Sequence, residues 1–485
     1  METNMTRRII GSLCVLMVSL LVWSGCAVGP NYKRPIVDVP VTYRDASTEA
    51  PASSMGQGDT PSAPQRSAAS LGDERWWEVF QDQELQNLIR TALKNNYDVR
   101  IAATRVLEAQ AQLGITRADQ YPSLGAGAGI ADYGSPKIGP IPSYEVSLGQ
   151  VTASAAWNLD FWGRYRRATE SARANLLANQ WAQKQVMASL VANVAASYFQ
   201  LRQLDLELEI SRRTLGSRSE SLNLTQTLEQ HGLGSLLDVR QSEQLVYTAA
   251  EEVPDFERQI AQQENALSLL LGRNPGDIPR GWKLTEQPHA PEVPAGLPSS
   301  LLERRPDIRE AEQNLIAANA QIGVARSAYF PQVSLTGSSG FESPALTGLF
   351  TGPAGLWNFG ASLTQPIFEG GRIKSNVRFT EAQREQFLLA YQQTIQGAFR
   401  DVSNGLVAYR KDREFRIQQE QLLKSAQDAA RLSQVRFKAG TTDYLEVLTN
   451  ETNSFTAELG LAQAQGNELI ALVQLYQALG GGWQQ

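Results

Sequence analysis

Apolar and polar residues follow two periods along this chain, and the periods alternate in blocks. Residues 97–121 and 306–330 are rich in Ala, Arg and Gln and read as helices, each halted by a proline, Pro122 and Pro331. Alternation with period two follows. Val151, Ala153, Ala155, Trp157 and Leu159 are apolar, while Thr152, Ser154, Asn158 and Asp160 between them are polar. Further on, Trp357, Phe359, Ala361, Leu363 and Ile367 alternate with Asn358, Gly360, Ser362 and Thr364. Residues 123–131 and 332–338 carry a weaker version of the pattern, and Gly/Pro-rich loops at 134–143 and 342–356 join each pair as a hairpin requires. Two long stretches, 163–253 and 367–485, then lack proline altogether. Leu201, Leu208, Leu215 and Leu222 are spaced by sevens, with Leu204 between the first two, as in a coiled-coil seam. Fifty helical residues would extend about 75 Å, too long for an ordinary globular core.

The blocks occur twice. Asp98-Val99-Arg100 matches Asp307-Ile308-Arg309, and Gln112-Leu113-Gly114 matches Gln321-Ile322-Gly323. Gly163-Arg164 matches Gly371-Arg372, Gly232 matches Gly440, and Gly272 matches Gly480. An offset that stays near-constant over the whole length is a duplication. The expected organisation is a first repeat at 82–272 and a second at 299–485, each helix, strand, strand, helix. Between them a linker at 273–298 carries Pro275, Pro279, Pro288, Pro291, Pro294 and Pro298 and cannot be regular helix or central strand.

The N-terminus changes the picture. Arg7-Arg8, an apolar run from Ile9 to Trp23 and then Ser24-Gly25-Cys26 form a basic, an apolar and a small-residue region, as in a bacterial lipoprotein signal peptide. Residues 1–25 are the expected leader and Cys26 the lipidation site; Cys14 lies inside the apolar run. Residue 27 is Ala rather than Asp, which points to an outer-membrane destination. Residues 26–81 then form an N-terminal lipid-anchored segment, and 46–72 within it are rich in Ala, Ser, Pro and Gly.

Composition narrows the chemistry. With Cys26 committed to lipid, no cysteine remains for a disulfide or a metal, and His231 and His289 are too few for a histidine cluster. His231, beside Gly232 in an expected turn, reads as a solvated residue. The net charge of −6 over 485 residues argues against a nucleic-acid partner. There is no HExxH, GxSxG or phosphate-binding glycine loop, and pairs such as Glu251-Glu252 fit polar helix faces, so an enzyme is not expected. No cofactor is implied beyond the lipid.

Four alternating strands suit either a half-buried sheet or a membrane barrel, but four cannot close one, since the smallest membrane barrels use eight. An open sheet edge in lipid would cost several kcal/mol for each unpaired backbone group. If the strands enter a membrane, several chains must contribute to one barrel. Two would give eight strands and three would give twelve.

The order of CAVGPNYKRP after the leader, RWWEVFQDQEL at 75–85, the Tyr-Pro and Phe-Pro junctions, QPIFEGGR at 365–372 and YQALGGGW at 476–483 resembles the TolC-type outer-membrane efflux proteins. More narrowly, it is similar to their lipoprotein (NodT/OprM-like) branch, which serves resistance-nodulation-division (RND) pumps. The resemblance implies a mixed α+β membrane protein: a homotrimer with a twelve-stranded β-barrel, four strands per chain, and a long periplasmic α-helical barrel. The linker and termini would form an equatorial region. It also implies the exit duct of a tripartite pump, working with a periplasmic adaptor protein and an RND inner-membrane transporter to carry drugs or other small toxic compounds. Alternatives are a duct for type I protein secretion, or a lipid-anchored coiled-coil scaffold with no pore.

Such a duct needs an apolar belt, a wet lumen and a gate. Trp157 and Trp357 are expected toward lipid. Counting along the helices puts the far tips near 190–215 and 398–416, the second dense in charge with Arg400, Asp401, Arg410, Lys411, Asp412 and Arg413. Asp401, Asn404 and Arg410, spaced for one helical face, are the candidate gate ring, with ordinary solvated charges as the alternative. Tyr198 and Arg202, in the equivalent stretch of the first repeat, are the candidate adaptor contact, with inter-helix packing as the alternative.

Overall fold

The computed structural model describes residues 27–40, 43, 70–288 and 298–483. Cys26 and His289 lie outside them. After a helical turn at Trp76–Val79, α1 spans Gln83–Asn95 and α2 Tyr97–Ala118. The hairpin β1 (Ser123–Ser135) and β2 (Tyr144–Leu159) leads into α3 (Arg164–Gln230) and α4 (Leu236–Leu270). After a short helix at Pro298–Arg304 the series recurs as α5 (Pro306–Ser327), β3 (Gln332–Ser343), β4 (Gly355–Thr364), α6 (Arg372–Lys438) and α7 (Tyr444–Ala478). The helix lengths repeat as 22, 67 and 35 residues in both halves.

The repeated glycines mark the helix ends. Gly232, Gly272, Gly440 and Gly480 have φ of 73°, 69°, 71° and 84°, the left-handed region that favours glycine. At each the following N–H reaches back to a carbonyl five residues earlier, as Leu233 does to Leu228 and Thr441 to Arg436, and this closes the helix. The helices α2 and α5 stop three residues short of Tyr121 and Phe330, because the last turn before each proline tightens to three-residue bonds such as Tyr121 N–H to Ala118.

The chain groups into two compact units, and both repeats contribute to each. One comprises residues up to Ile36 with Arg105–Gln180 and Glu310–Gln392. It holds a single antiparallel sheet in the order β1-β2-β3-β4, so β1 and β4 are its edges. β1 runs on to Ser135 and β3 to Ser343, beyond the expected 131 and 338, because pairing with β2 carries the weakly alternating Gly/Ser segments along. Ile367 falls outside β4, since Pro366 has no N–H to give a ladder.

The second unit comprises Val37–Thr104, Trp181–Arg309 and Gln393–Gln485. Its core packs α1 and the helix interiors, with Phe80 edge-on to Tyr476 at 5.8 Å and to Phe199 at 6.3 Å. The expected leucine seam is buried only at its start, at Leu201 and Leu204. Beyond Ile210 the buried positions of α3 are Ser211, Arg218 and Thr225, again seven apart but polar. Thr225 bonds Ser242, and Ser242 donates to the Tyr444 hydroxyl at 2.7 Å. Pro254 lies inside α4 without ending it; it is exposed, so the carbonyl it leaves unpaired can meet water.

Candidate channel wall and helix turns

Over the half of the sheet nearest the helices, the strand registers sort most side chains into an apolar and a polar face; toward the hairpin loops the sorting breaks down, with Asp132 and Glu145 on the first face and Val146, Leu148 and Leu356 on the second. Trp157 stands opposite Leu335, Val151 opposite Phe341, Val333 opposite Leu363 and Gly337 opposite Phe359. Leu124, Ala126, Ala128 and Ile130 of β1 share that face through Ala155, Ala153, Val151 and Gly149. The other face carries Thr152, Ser154, Asn158, Ser334, Thr336, Ser338, Asn358 and Ser362. Trp157 and Trp357 therefore share the apolar face, and Trp357 is 80% exposed on it. Leu124, Ile130, Phe359 and Leu363 are exposed there too. A continuous apolar surface of this kind is unfavourable in water and signals a lipid or protein contact.

The sheet is tied to its flanking helices at one end. The Trp157 indole N–H donates to the Gln120 carbonyl at 3.0 Å, and that of Trp162 to Pro331 at 2.7 Å while its ring stacks on Phe330. The residues that follow Cys26 dock at the same place. Val28 N–H bonds the Trp162 carbonyl, Arg167 donates to the Val28 and Gly29 carbonyls and to Asn31, and Asn319 donates to Pro30. Gly29 crosses Gly323 so closely that a Cβ on Gly323 would lie 2.7 Å from the Val28 oxygen.

The two long helix pairs turn at 231–235 and 439–443. The tip positions expected near 190–215 and 398–416 are thus corrected. Both windows lie inside α3 and α6, which continue because no proline or capped glycine interrupts them until Gly232 and Gly440. His231 is an exposed turn residue whose Nδ1 meets the Thr227 carbonyl at 2.8 Å. Ser235 caps α4 in a reciprocal box with Asp238. Leu233, Leu236, Leu237 and Leu445 are more than half exposed around the two turns. Tyr444, by contrast, is buried with Val447 and Leu448 against Leu245 and Phe437.

Tyr198 and Arg202 do not present a free surface. Tyr198 is fully buried, and its hydroxyl donates to Asp82 at 2.8 Å and accepts from Gly281 N–H at 2.9 Å. Burial, then the Asp82 bond, pushes its pKa well above the usual tyrosine value. Arg202, also buried, donates to Asp205 and to the Trp282 carbonyl. The adaptor-contact expectation for this pair is corrected: both hold the linker onto α3. Asp82, unremarked in the sequence, is the hub. It caps α1 through Glu84 and Leu85 N–H and also accepts from Trp282 N–H at 3.0 Å and Gln287 at 2.9 Å.

Asp401 and Asn404 are brought together, with Arg410 outside the group. The two line a cavity of about 390 Å³ together with Gln185, Arg305, Gln474 and Gln477. Burial works against the Arg305 charge, but bonds to Asp307 and then Asp401 outweigh it and raise its pKa. Asp401 also accepts from Arg400 at 2.7 Å. Among the described residues no His, Cys, Asp and Glu cluster could hold a metal, and no helix is long and apolar enough to cross a membrane.

The chain is similar in sequence to efflux proteins along nearly its full length. It is 36% identical to the probable efflux pump outer membrane protein TtgC of Pseudomonas putida over 97% of this chain and 96% of that one. It is 35% identical to the cation efflux system protein CusC of Escherichia coli, over 96% and 97%. Among solved structures, the open-state MtrE outer membrane channel of Neisseria gonorrhoeae superposes with a TM-score of 0.83 at 33% identity, covering 95% of this chain and 99% of that one. The outer membrane efflux protein model matches residues 88–273 and 297–481, and the chain belongs to that family of outer-membrane, non-enzymatic efflux channels.

Proposed function

We propose that this protein is the outer-membrane exit duct of a tripartite efflux pump, formed by three copies that each contribute four strands to a twelve-stranded barrel. One observation carries the reading: a four-stranded sheet with one apolar and one polar face, and with both edges, β1 and β4, unpaired within the chain. Open edges in lipid are costly, and closure with further copies removes them. The apolar face then meets lipid and the polar face lines a wet lumen. The long helix pairs would assemble into a periplasmic α-helical barrel whose closing end is at the turns 231–235 and 439–443.

A periplasmic adaptor would dock on the exposed leucines of those turns and link the duct to an RND inner-membrane transporter. Because Ala27 lies against Gly163 at the foot of β2, a lipid on Cys26 would enter the membrane beside the sheet. The transporter, as the energy-coupled partner, would set the substrate range. Relatives named for toluene, antibiotic and cation efflux make small toxic compounds the substrate class. A pore-free scaffold would leave the two-faced sheet without a purpose.

The test is accumulation of dyes and antibiotics in a strain lacking the gene. Accumulation that rises on deletion and falls on complementation supports an efflux duct. Unchanged accumulation across a broad panel, with secretion of a substrate protein lost instead, would move the assignment to type I secretion.

A further inference from the structure

The sheet distributes its charges unevenly. Its four strands contain three carboxylates, Asp132, Glu145 and Glu342, and no lysine or arginine. Asp132 pairs with Ser147 and Glu145 with Gly134, and both have the parity of the apolar face. Glu342 stands opposite Gln150 and has the parity of Ser334, Thr336 and Ser338, the polar face. The ladder is continuous from Val333 to Ser343, so no bulge exchanges the faces. Glu342 is thus the one formal charge that the strands place on that face, and its side chain is exposed. It is next to last in β3, at the hairpin-loop end, opposite the end where Leu159 leads toward α3.

We propose that Glu342 sets the ion preference of the outer mouth of the channel, favouring small inorganic and organic cations. The inference rests on the polar face being the lumen. Three copies would place three carboxylates at one level of a face whose other polar side chains are uncharged, with Leu148 and Leu356 among its apolar ones. Such a ring raises the local cation concentration and lowers that of anions. It has no nearby strand cation to cancel it. Its reach follows the Debye length, about 10 Å at 0.1 M salt and 3 Å at 1 M, so its influence fades as salt rises.

The experiment is single-channel recording of the purified full-length protein in planar bilayers under a KCl gradient, comparing wild type with Glu342→Gln, Glu342→Lys and Asp132→Asn. With about 0.1 M KCl on the hairpin side, Glu342→Gln should lower the K⁺/Cl⁻ permeability ratio by about twofold or more, and Glu342→Lys should lower it further. At about 1 M KCl the difference should vanish. Asp132→Asn, on the opposite face, should leave the ratio unchanged. A conducting Glu342→Gln channel with wild-type selectivity at low salt overturns the proposal, as does an equal effect from Asp132→Asn. Absence of any conductance in wild type would instead overturn the channel reading on which it rests.

Discussion

Replacing Asp82 by alanine should release the linker segment 281–287 from α3. Asp82 is 1% exposed, and three of its hydrogen bonds come from beyond α1: the Tyr198 hydroxyl, the Trp282 N–H and the Gln287 amide. Each donor left without its acceptor costs about 1–3 kcal/mol, and loss of the α1 cap adds about 1 kcal/mol. Water entering beside the smaller side chain recovers part of this, and neighbouring terms do not add fully, which leaves a net loss of about 4 kcal/mol. That corresponds to roughly 700-fold faster local opening. Amide hydrogen exchange of a peptide covering 278–288 in the detergent-solubilised protein reads this directly. Tyr198→Phe removes one donor to Asp82 and one acceptor for Gly281 N–H, and should accelerate exchange less, by roughly tenfold to a hundredfold. Exchange in Asp82→Ala within about threefold of wild type would refute the hub.

Other consequences follow from single contacts. Gly323→Ala drives a methyl against the Val28 carbonyl and Arg167, at an expected cost of about 1–3 kcal/mol; early proteolytic cleavage in residues 27–36 checks it, and an unchanged digestion pattern speaks against the close crossing. Arg218 is buried with Nε and Nη2 lacking an acceptor among the described residues, while Nη1 donates to the Leu245 carbonyl, so Arg218→Met should change stability by no more than about 1 kcal/mol in a thermal melt, whereas a clear loss would show that the charge is paired. Burial raises the Glu207 carboxyl pKa, with Gln203 opposing and Glu252 adding to the rise. A raised folded-state pKa means that the native protein binds the proton more tightly, so this group's destabilisation at neutral pH is relieved as pH falls through that raised value. Glu207→Gln should therefore raise stability at pH 7 and flatten the gain on acidification; a melt whose pH slope is unchanged would contradict this.

The strands and the duplication were legible in the sequence because their signals are local. Alternation from Val151 to Leu159 needs one face of a sheet, and the recurring glycines need left-handed backbone at the same helix ends. The turns were misplaced because a helix without proline offers no mark of its length; Gly232 and Gly440, already matched as repeats, were the available signal. The Asp82 hub left no trace, since its partners Tyr198 and Gln287 are 116 and 205 residues away. RWWEVFQDQEL carried it only as part of a family pattern. The polar seam of Ser211, Arg218 and Thr225 was hidden by the leucines beside it, because burial depends on which face α4 and α7 cover.

The barrel depends most directly on how many chains close the sheet. Native mass spectrometry of the mature protein released from detergent micelles decides this. Three chains carrying acyl mass on each N-terminal Cys26 are expected, giving twelve strands. A species of two chains would contradict the twelve-stranded trimer, and a single chain would contradict the barrel and with it the assignment of the polar face to the lumen.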